Sequence, residues 1–152
     1  MATVREYKPE DSVGVKNLIL SILEKEYPFH RTAYQDTDIN DISGTYGGKS
    51  NTFFVIEEDK EIVGTVGIKR DTNETALLRR LFVHEKHRKR GMGTALLIKA
   101  IDFCRAQKYK EMAFRATDRM LSAMNLCKKA GFNETENLEV TGFHIHKFIL
   151  KL

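Results

Sequence analysis

The chain has 152 residues, 41% of them hydrophobic, with nine Phe and five Tyr, two Cys, and a formal net charge of +4. That length and apolar content fit one folded domain with a real core; they exclude disorder and collagen-like repeats, and two cysteines exclude a disulfide scaffold. The window RRLFVHEKHRKR, residues 79–90, holds six basic side chains against Glu85, a balance of +5, so the remainder carries −1. A basic knot in a near-neutral chain points to a compact anion rather than an extended polyanion or a membrane surface.

The first residues, MATVREYKPEDS, carry charges at Arg5, Glu6 and Lys8 and have no apolar run of signal-peptide length, so mature protein is expected from the start. An extended piece around Val4 to Tyr7 is followed by Pro9 and Asp11, which mark a helix start. Val15, Leu18, Ile19, Ile22 and Leu23 then recur at helical spacing, and the helix ends near Tyr27-Pro28. Residues 29–49 are polar, with one short helix expected around Asp38 to Ser43; ordered connections of this length are often functional. TFFVIEEDKEIVGTVGIKR reads as a hairpin turning at Asp59-Lys60. A second turn at Asp71 to Asn73 leads into a third strand, Ala76 to Val83.

The character then changes. Gly91 to Gln107 has a broad apolar face through Leu96, Leu97, Ala100, Ile101, Phe103 and Cys104, and reads as a helix. Met112 to Ala116 is a short strand, Asp118 an N-cap, and Met120 to Ala130 a helix closed by Gly131. Phe132 to Val140 and Phe143 to Leu150 complete the chain as strands. The order of elements predicts an α+β domain over residues 1–152: a mixed, mostly antiparallel sheet of six to seven strands flanked by about four helices.

The informative stretch is LRRLFVHEKHRKRGMGTALL, in which a strand ends at Val83, seven polar and mainly basic residues follow, and Gly-x-Gly opens a helix. Amides at a helix start are unpaired and sit at the positive end of the dipole, so they bind anions. Gly91 and Gly93 have no Cβ to hold a phosphate away, Thr94 adds a hydroxyl, and Arg88 and Arg90 bring charge to the rim: the parts of a pyrophosphate cradle. A Walker loop needs Gly-Lys-Ser/Thr, which is absent, and a dinucleotide fingerprint needs a third Gly where Leu96 stands.

Arg88-Lys89-Arg90-Gly91-Met92-Gly93 resembles the acetyl-CoA-binding motif of the GNAT superfamily of N-acetyltransferases. The preceding Leu-Arg-Arg-Leu-Phe-Val, the closing Ala130-Gly131-Phe132 and the order of elements are similar too, so the resemblance covers nearly the whole chain. It implies a sheet splayed between its fourth and fifth strands, and acetyl-CoA as co-substrate. Its pantetheine arm would pair with main-chain groups of Leu81 and Val83, and its pyrophosphate would lie on the amides of Arg88, Lys89, Arg90, Gly91, Met92, Gly93 and Thr94. A backbone N–H at Leu81 or Phe82 would serve as oxyanion donor. The implied reaction is direct attack of a primary amine of a small molecule or peptide on the thioester, in a ternary complex, with no covalent enzyme intermediate.

Two positions depart from the pattern. The Tyr that many relatives use to protonate the leaving thiolate is Cys127 here, whose thiol is the candidate acid in its place, and the usual Glu of the fourth strand is Leu77. Glu74 and Glu26 are the replacement candidates for a base, with His30 and His84 behind them. Asn125 and Lys128 lie on the last helix, where the family touches the cofactor, although the usual Asn position holds Met120. The two departures together motivate an alternative, a non-catalytic acyl-CoA-binding or sensing module of the same fold.

Other signals are set aside. His144-x-His146 has metal spacing but no neighbouring carboxylate or thiol in sequence, so both are read as surface residues and no metal is expected. The basic window lacks any nucleic-acid-binding pattern, no apolar run approaches a membrane span, and Cys104 and Cys127 read as reduced thiols of a cytoplasmic protein. Tyr27, Tyr34, Tyr46 and Asp36 to Asp41 suggest a polar, partly acidic acceptor lining, and exposed strand edges allow a monomer or a homodimer.

Overall fold

The computed structural model describes residues 3–26, 38–140 and 142–152. Its strands are Thr3–Glu6 (β1), Thr52–Glu58 (β2), Glu61–Arg70 (β3), Thr75–Val83 (β4), Glu111–Thr117 (β5), Asn133–Val140 (β6) and Phe143–Lys151 (β7). Its helices are Ser12–Glu26 (α1), Ile42–Thr45 (α2), Met92–Ala106 (α3) and Leu121–Lys129 (α4), with short 3-10 turns at Pro9–Asp11 and Glu85–His87. The strands form one sheet in the order β1-β2-β3-β4-β5-β7-β6, the mixed α+β architecture expected from the sequence.

Local chemistry explains most of the boundaries. Asp59 (φ 52) and Lys60 (φ 67) both adopt left-handed geometry, as a two-residue turn twisted with its strands requires, and they join β2 to β3. The stripe Val15, Leu18, Ile19, Ile22 and Leu23 is the buried face of α1. Helix α2 lies later than expected, because Asp41 rather than Asp38 caps it by accepting from the Gly44 amide at 3.0 Å. Asp118 does not cap α4 either. Met120 occupies that position without a side-chain cap, and Asp118 is engaged with His146 instead.

Apolar residues fill both faces of the sheet. On one side, α3 and α4 bury Leu96, Leu97, Cys104 and Cys127 against Leu78, Leu81, Met112, Phe114 and Phe148. On the other, α1 and α2 bury Val15, Ile19, Leu23 and Ile42 against Phe53, Val55 and Phe82. Leu81 and Phe82, adjacent in β4, therefore anchor opposite layers.

One join in the sheet is incomplete. Strands β4 and β5 form its parallel pair, and their register covers only Thr75 to Leu77 against Glu111 to Ala113. Beyond it, β3 holds β4 as far as Val83 and β7 holds β5 as far as Thr117, so both strands stay ordered while they part. This is the splay between fourth and fifth strands that the sequence resemblance implied.

Candidate functional site

The gap between β4 and β5 opens toward the start of α3. His84 donates its amide to Val63 O at 2.8 Å, so strand alternation turns the main-chain groups of Val83 away from β3 and toward the gap. Arg88 Nε donates to the Val83 carbonyl at 2.9 Å, from that same open side. Leu81 lies two residues earlier in β4, beside a bulge. Arg80 and Leu81 together face Val66, because Thr65 pairs with Phe82 and Gly67 with Arg79.

Past Val83 the chain curls through two left-handed residues, Lys89 (φ 64) and Gly91 (φ 79). The first helical bond recorded at the start of α3 runs from the Ala95 amide to Gly91 O at 3.0 Å. The amides of Met92, Gly93 and Thr94 thus precede the helical ladder, at the positive end of a helix that runs to Ala106. The two glycines serve different ends. A Cβ at Gly91 would meet nothing within 4 Å, so that glycine is required for its left-handed turn. A Cβ at Gly93 would stand 3.1 Å from Leu126 Cδ2, so that glycine lets α3 close against α4. Exposed Lys89 and Arg90 add charge around these amides, and Arg90 Nη1 donates to Glu58 at 3.2 Å. The cradle's chemistry fits a diphosphate.

Arg88 and Glu26 come together in a way that sequence reading missed. Arg88 Nη1 and Nη2 grip the Glu26 carboxylate at 2.8 and 2.7 Å, and Lys25 pairs with Glu85 beside it at 3.0 Å. The forked contact ties the end of α1 to the end of β4. Glu26, expected as a base, serves here as the partner of the motif's first arginine.

The other candidates disperse. Glu74 sits before β4, accepts from Lys110 at 3.2 Å, and is roughly 25 Å of strand away from Val83. The structure does not bring it to the gap. Leu77 lies where the β4–β5 pairing ends, opposite Ala113. Asn125 and Lys128 are exposed on α4, with Lys128 Nζ 5.8 Å above the Phe148 ring. His84 accepts from the Lys86 amide at 3.1 Å and so caps a 3-10 turn. Tyr27, His30, Tyr34 and Asp36 lie outside the described residues.

Cys127 is fully buried in the α3–α4 core, and that burial pushes its thiol up to about 12. Proton transfer from such a thiol to a CoA thiolate, which starts near the ordinary thiol range of about 8.5, runs uphill. Cys127→Ala is therefore expected to keep kcat within about threefold, well short of the hundredfold or more that loss of a general acid costs. Steady-state kinetics at neutral pH decides the point, and a hundredfold fall would restore Cys127 as the acid.

Two further clusters carry charge. Contrary to the expectation that no carboxylate attends the His144-x-His146 pair, Asp118 approaches His146 Nε2 at 2.5 Å and Glu134 approaches Nδ1 at 2.9 Å, with His144 stacked alongside at 4.9 Å. Folding brings these carboxylates from the β5–α4 connection and from β6, beyond the reach of local spacing. No group of three or more metal-ligating side chains forms a metal site among the described residues. The hydrogen bond to Asp118, then that to Glu134, raises the His146 pKa above its ordinary 6.5. A raised folded-state value means stability that is fully present below pH 6.5 and lost as pH rises through the folded pKa. His146→Gln should therefore lower Tm more at pH 6 than at about pH 9, measured by thermal melts; an equal loss at both would remove the charge from the explanation.

The second cluster joins Asp38, Tyr46 and Arg80, all buried. Arg80 donates from Nε and Nη2 to the two Asp38 oxygens at 2.9 and 2.6 Å, and Tyr46 donates its hydroxyl to Asp38 at 2.7 Å. Burial alone would raise the Asp38 carboxyl, but the Arg80 contacts outweigh it and hold the group below its ordinary value. The acidity expected of the acceptor lining is thus consumed internally at Asp38, and at Asp41 by its capping role.

Among the described residues no helix is long and apolar enough to cross a membrane. Comparison with known proteins agrees with this geometry. Human N-acetyltransferase 8 is 33% identical over 105 residues, 65% of this chain and 46% of that protein. The probable N-acetyltransferase camello of Xenopus tropicalis is 30% identical over 114 residues, 73% of this chain and 52% of that protein. The chain thus spans about half the length of these curated relatives. A GNAT-family acetyltransferase structure from Staphylococcus aureus Mu50 superposes with a TM-score of 0.84 at 23% identity, covering 99% of this chain and all of that one. The model of the acetyltransferase (GNAT) family matches residues 16–132, and the chain belongs to that family.

Proposed function

We propose that this chain is an acetyl-CoA-dependent N-acetyltransferase of the cytoplasm, moving an acetyl group to a primary amine of a small molecule or peptide by direct attack in a ternary complex. The observation that carries the reading is the short β4–β5 register, which ends at Leu77 and Ala113 and leaves a gap leading to the amides of Met92 to Thr94. The cradle amides, with Lys89 and Arg90, would hold the diphosphate; Val83, and Leu81 beside the bulge, would align the pantetheine arm through main-chain hydrogen bonds.

Within that frame, Leu81 supplies the oxyanion donor. Phe82 stands opposite Thr65 inside the β3–β4 ladder, whereas Leu81 belongs to the bulge, where β4 has already left β5. An amide aimed at the thioester carbonyl stabilises the charge that develops there on attack, an effect worth about 3 to 4 kcal/mol for comparable side-chain donors. Glu74 lies at the closed end of the β4–β5 pair, the buried Cys127 thiol is too weak an acid for the leaving thiolate, and Glu26 is held by Arg88. In this reading the neutral amine attacks, its nitrogen then loses a proton to water, and the thiolate leaves to solvent.

A thiol-release assay across polyamines, amino acids, aminoglycosides and N-terminal peptides tests the reading. Amine-dependent CoA release is expected for at least one class. Tight binding of acetyl-CoA with no release to any of them would favour an acyl-CoA-sensing module instead.

A further inference from the structure

Arg80 is a charged residue in a place where charge is costly. It is 8% exposed, it packs beside Tyr46 on the α1 and α2 side of the sheet, and its backbone is left-handed at φ 53, a conformation a non-glycine residue adopts only when its surroundings demand it. Three contacts supply that demand. Thr65 Oγ1, itself fully buried, donates to the Arg80 carbonyl at 2.7 Å and fixes the bulge from β3. Asp38 grips the guanidinium through both oxygens. Tyr46 donates to the same carboxylate while its ring rests on Phe53 at 5.0 Å between centroids; a Cβ on Gly67 would stand only 2.8 Å from that ring.

These contacts join two parts of the site. The bulge comes after the last β4–β5 register pair and immediately before Leu81, so its geometry sets where the Leu81 amide points. Asp38 and Tyr46 bracket the segment that carries α2 on the other side of the sheet from α3 and α4. An apolar pair of equal volume would serve packing alone at least as well, because a buried ion pair gains little net stability over hydrophobic replacements. A forked arginine does what such a pair does not: it sets direction and distance together.

We infer that Arg80 is a positioning residue of the transfer site, holding the β4 bulge and the Asp38–Tyr46 segment in fixed relation so that donor amide and acceptor surface stay aligned. The inference rests on the acetyl-transfer reading, and its test separates the two. Arg80→Lys keeps a charge for Asp38 but loses the fork, and the double replacement Asp38→Leu with Arg80→Met removes both charges and strands neither. Both variants should fold cooperatively and bind acetyl-CoA within about threefold of wild type. In both, kcat should fall at least tenfold and KM for the amine should rise, since small misplacements cost up to about a hundredfold in rate. Amide hydrogen exchange at Phe82, which lies in the β3–β4 ladder next to the bulge, should quicken in both, a readout that needs no turnover.

Wild-type exchange at the Phe82 amide in Arg80→Lys would overturn the positioning role even if the wild-type protein acetylated nothing. A loss of acetyl-CoA affinity in step with kcat would overturn it too, as the mark of a general structural defect. A wild-type protein that binds acetyl-CoA without turnover refutes the transfer reading and leaves the exchange result to decide the role of Arg80.

Discussion

Replacing Thr94 with glutamate is expected to weaken acetyl-CoA binding at least a hundredfold while leaving the fold no less stable. Thr94 is exposed in the first turn of α3, ahead of the first recorded helical bond from Ala95. An acidic side chain at that position interacts favourably with the helix dipole, by roughly 0.3 to 1 kcal/mol. The same carboxylate would face a diphosphate on the neighbouring amides. Two like charges about 4 Å apart repel by about 4 kcal/mol at an effective dielectric of 20, and a hundredfold loss needs only about 2.7 kcal/mol. Gly93→Glu should also abolish binding, but it forces a Cβ to within 3.1 Å of Leu126 and so confuses charge with packing. Calorimetric titration with a parallel thermal melt separates these effects. Unchanged affinity in Thr94→Glu would remove the phosphate assignment.

The second large effect is on stability. Arg80→Met should destabilise the protein by about 3 to 5 kcal/mol, because it leaves the Asp38 carboxylate buried with only Tyr46 among the partners described above. For a chain of this size that corresponds to a Tm loss of roughly 6 to 20 °C. The double replacement with Asp38→Leu should recover part of it, the remaining deficit of about 1 to 3 kcal/mol coming from the buried Tyr46 hydroxyl that loses its acceptor. The wild-type contribution also depends on pH. The folded-state pKa of Asp38 is lowered, so the stabilisation is present above the ordinary value of 3.8 and is lost as pH falls through the folded value. Denaturant melts of the three proteins at pH 7 check the ordering, and a single variant as stable as wild type would contradict it.

How much of this was legible in the sequence follows from the range of each interaction. The basic turn and the start of α3 were readable because a strand end, a run of basic residues and Gly-x-Gly lie within one short window, and each part works through its own backbone. The stripe on α1 and the β2–β3 turn at Asp59-Lys60 were legible for the same reason, since periodicity and turn chemistry are local. The β4–β5 splay was not local and came only through resemblance. The charge pairs were hidden for the same reason: Arg88 meets Glu26 and Arg80 meets Asp38 across separations of 62 and 42 residues, which spacing cannot reveal.

That difference explains the weaker catalytic reading. Glu74 is near the Arg79-Arg80 pair in sequence, but the strand that follows it leaves it at the far end from Val83. Glu26 reached the right end of the sheet, where the forked contact of Arg88 engages it. The knot of positive charge divides accordingly. Arg80 is neutralised inside the fold, Arg88 braces α1 against β4, and Lys89 and Arg90 stay exposed just before α3.

A backbone-amide NMR titration of the isotopically labelled chain with acetyl-CoA tests directly where the cofactor sits. Saturable shifts are expected at Leu81, Val83 and the amides from Lys89 to Thr94, with little change at Glu74 and the closed end of the β4–β5 pair. Shifts confined to other surfaces, or none at millimolar acetyl-CoA, would contradict that placement.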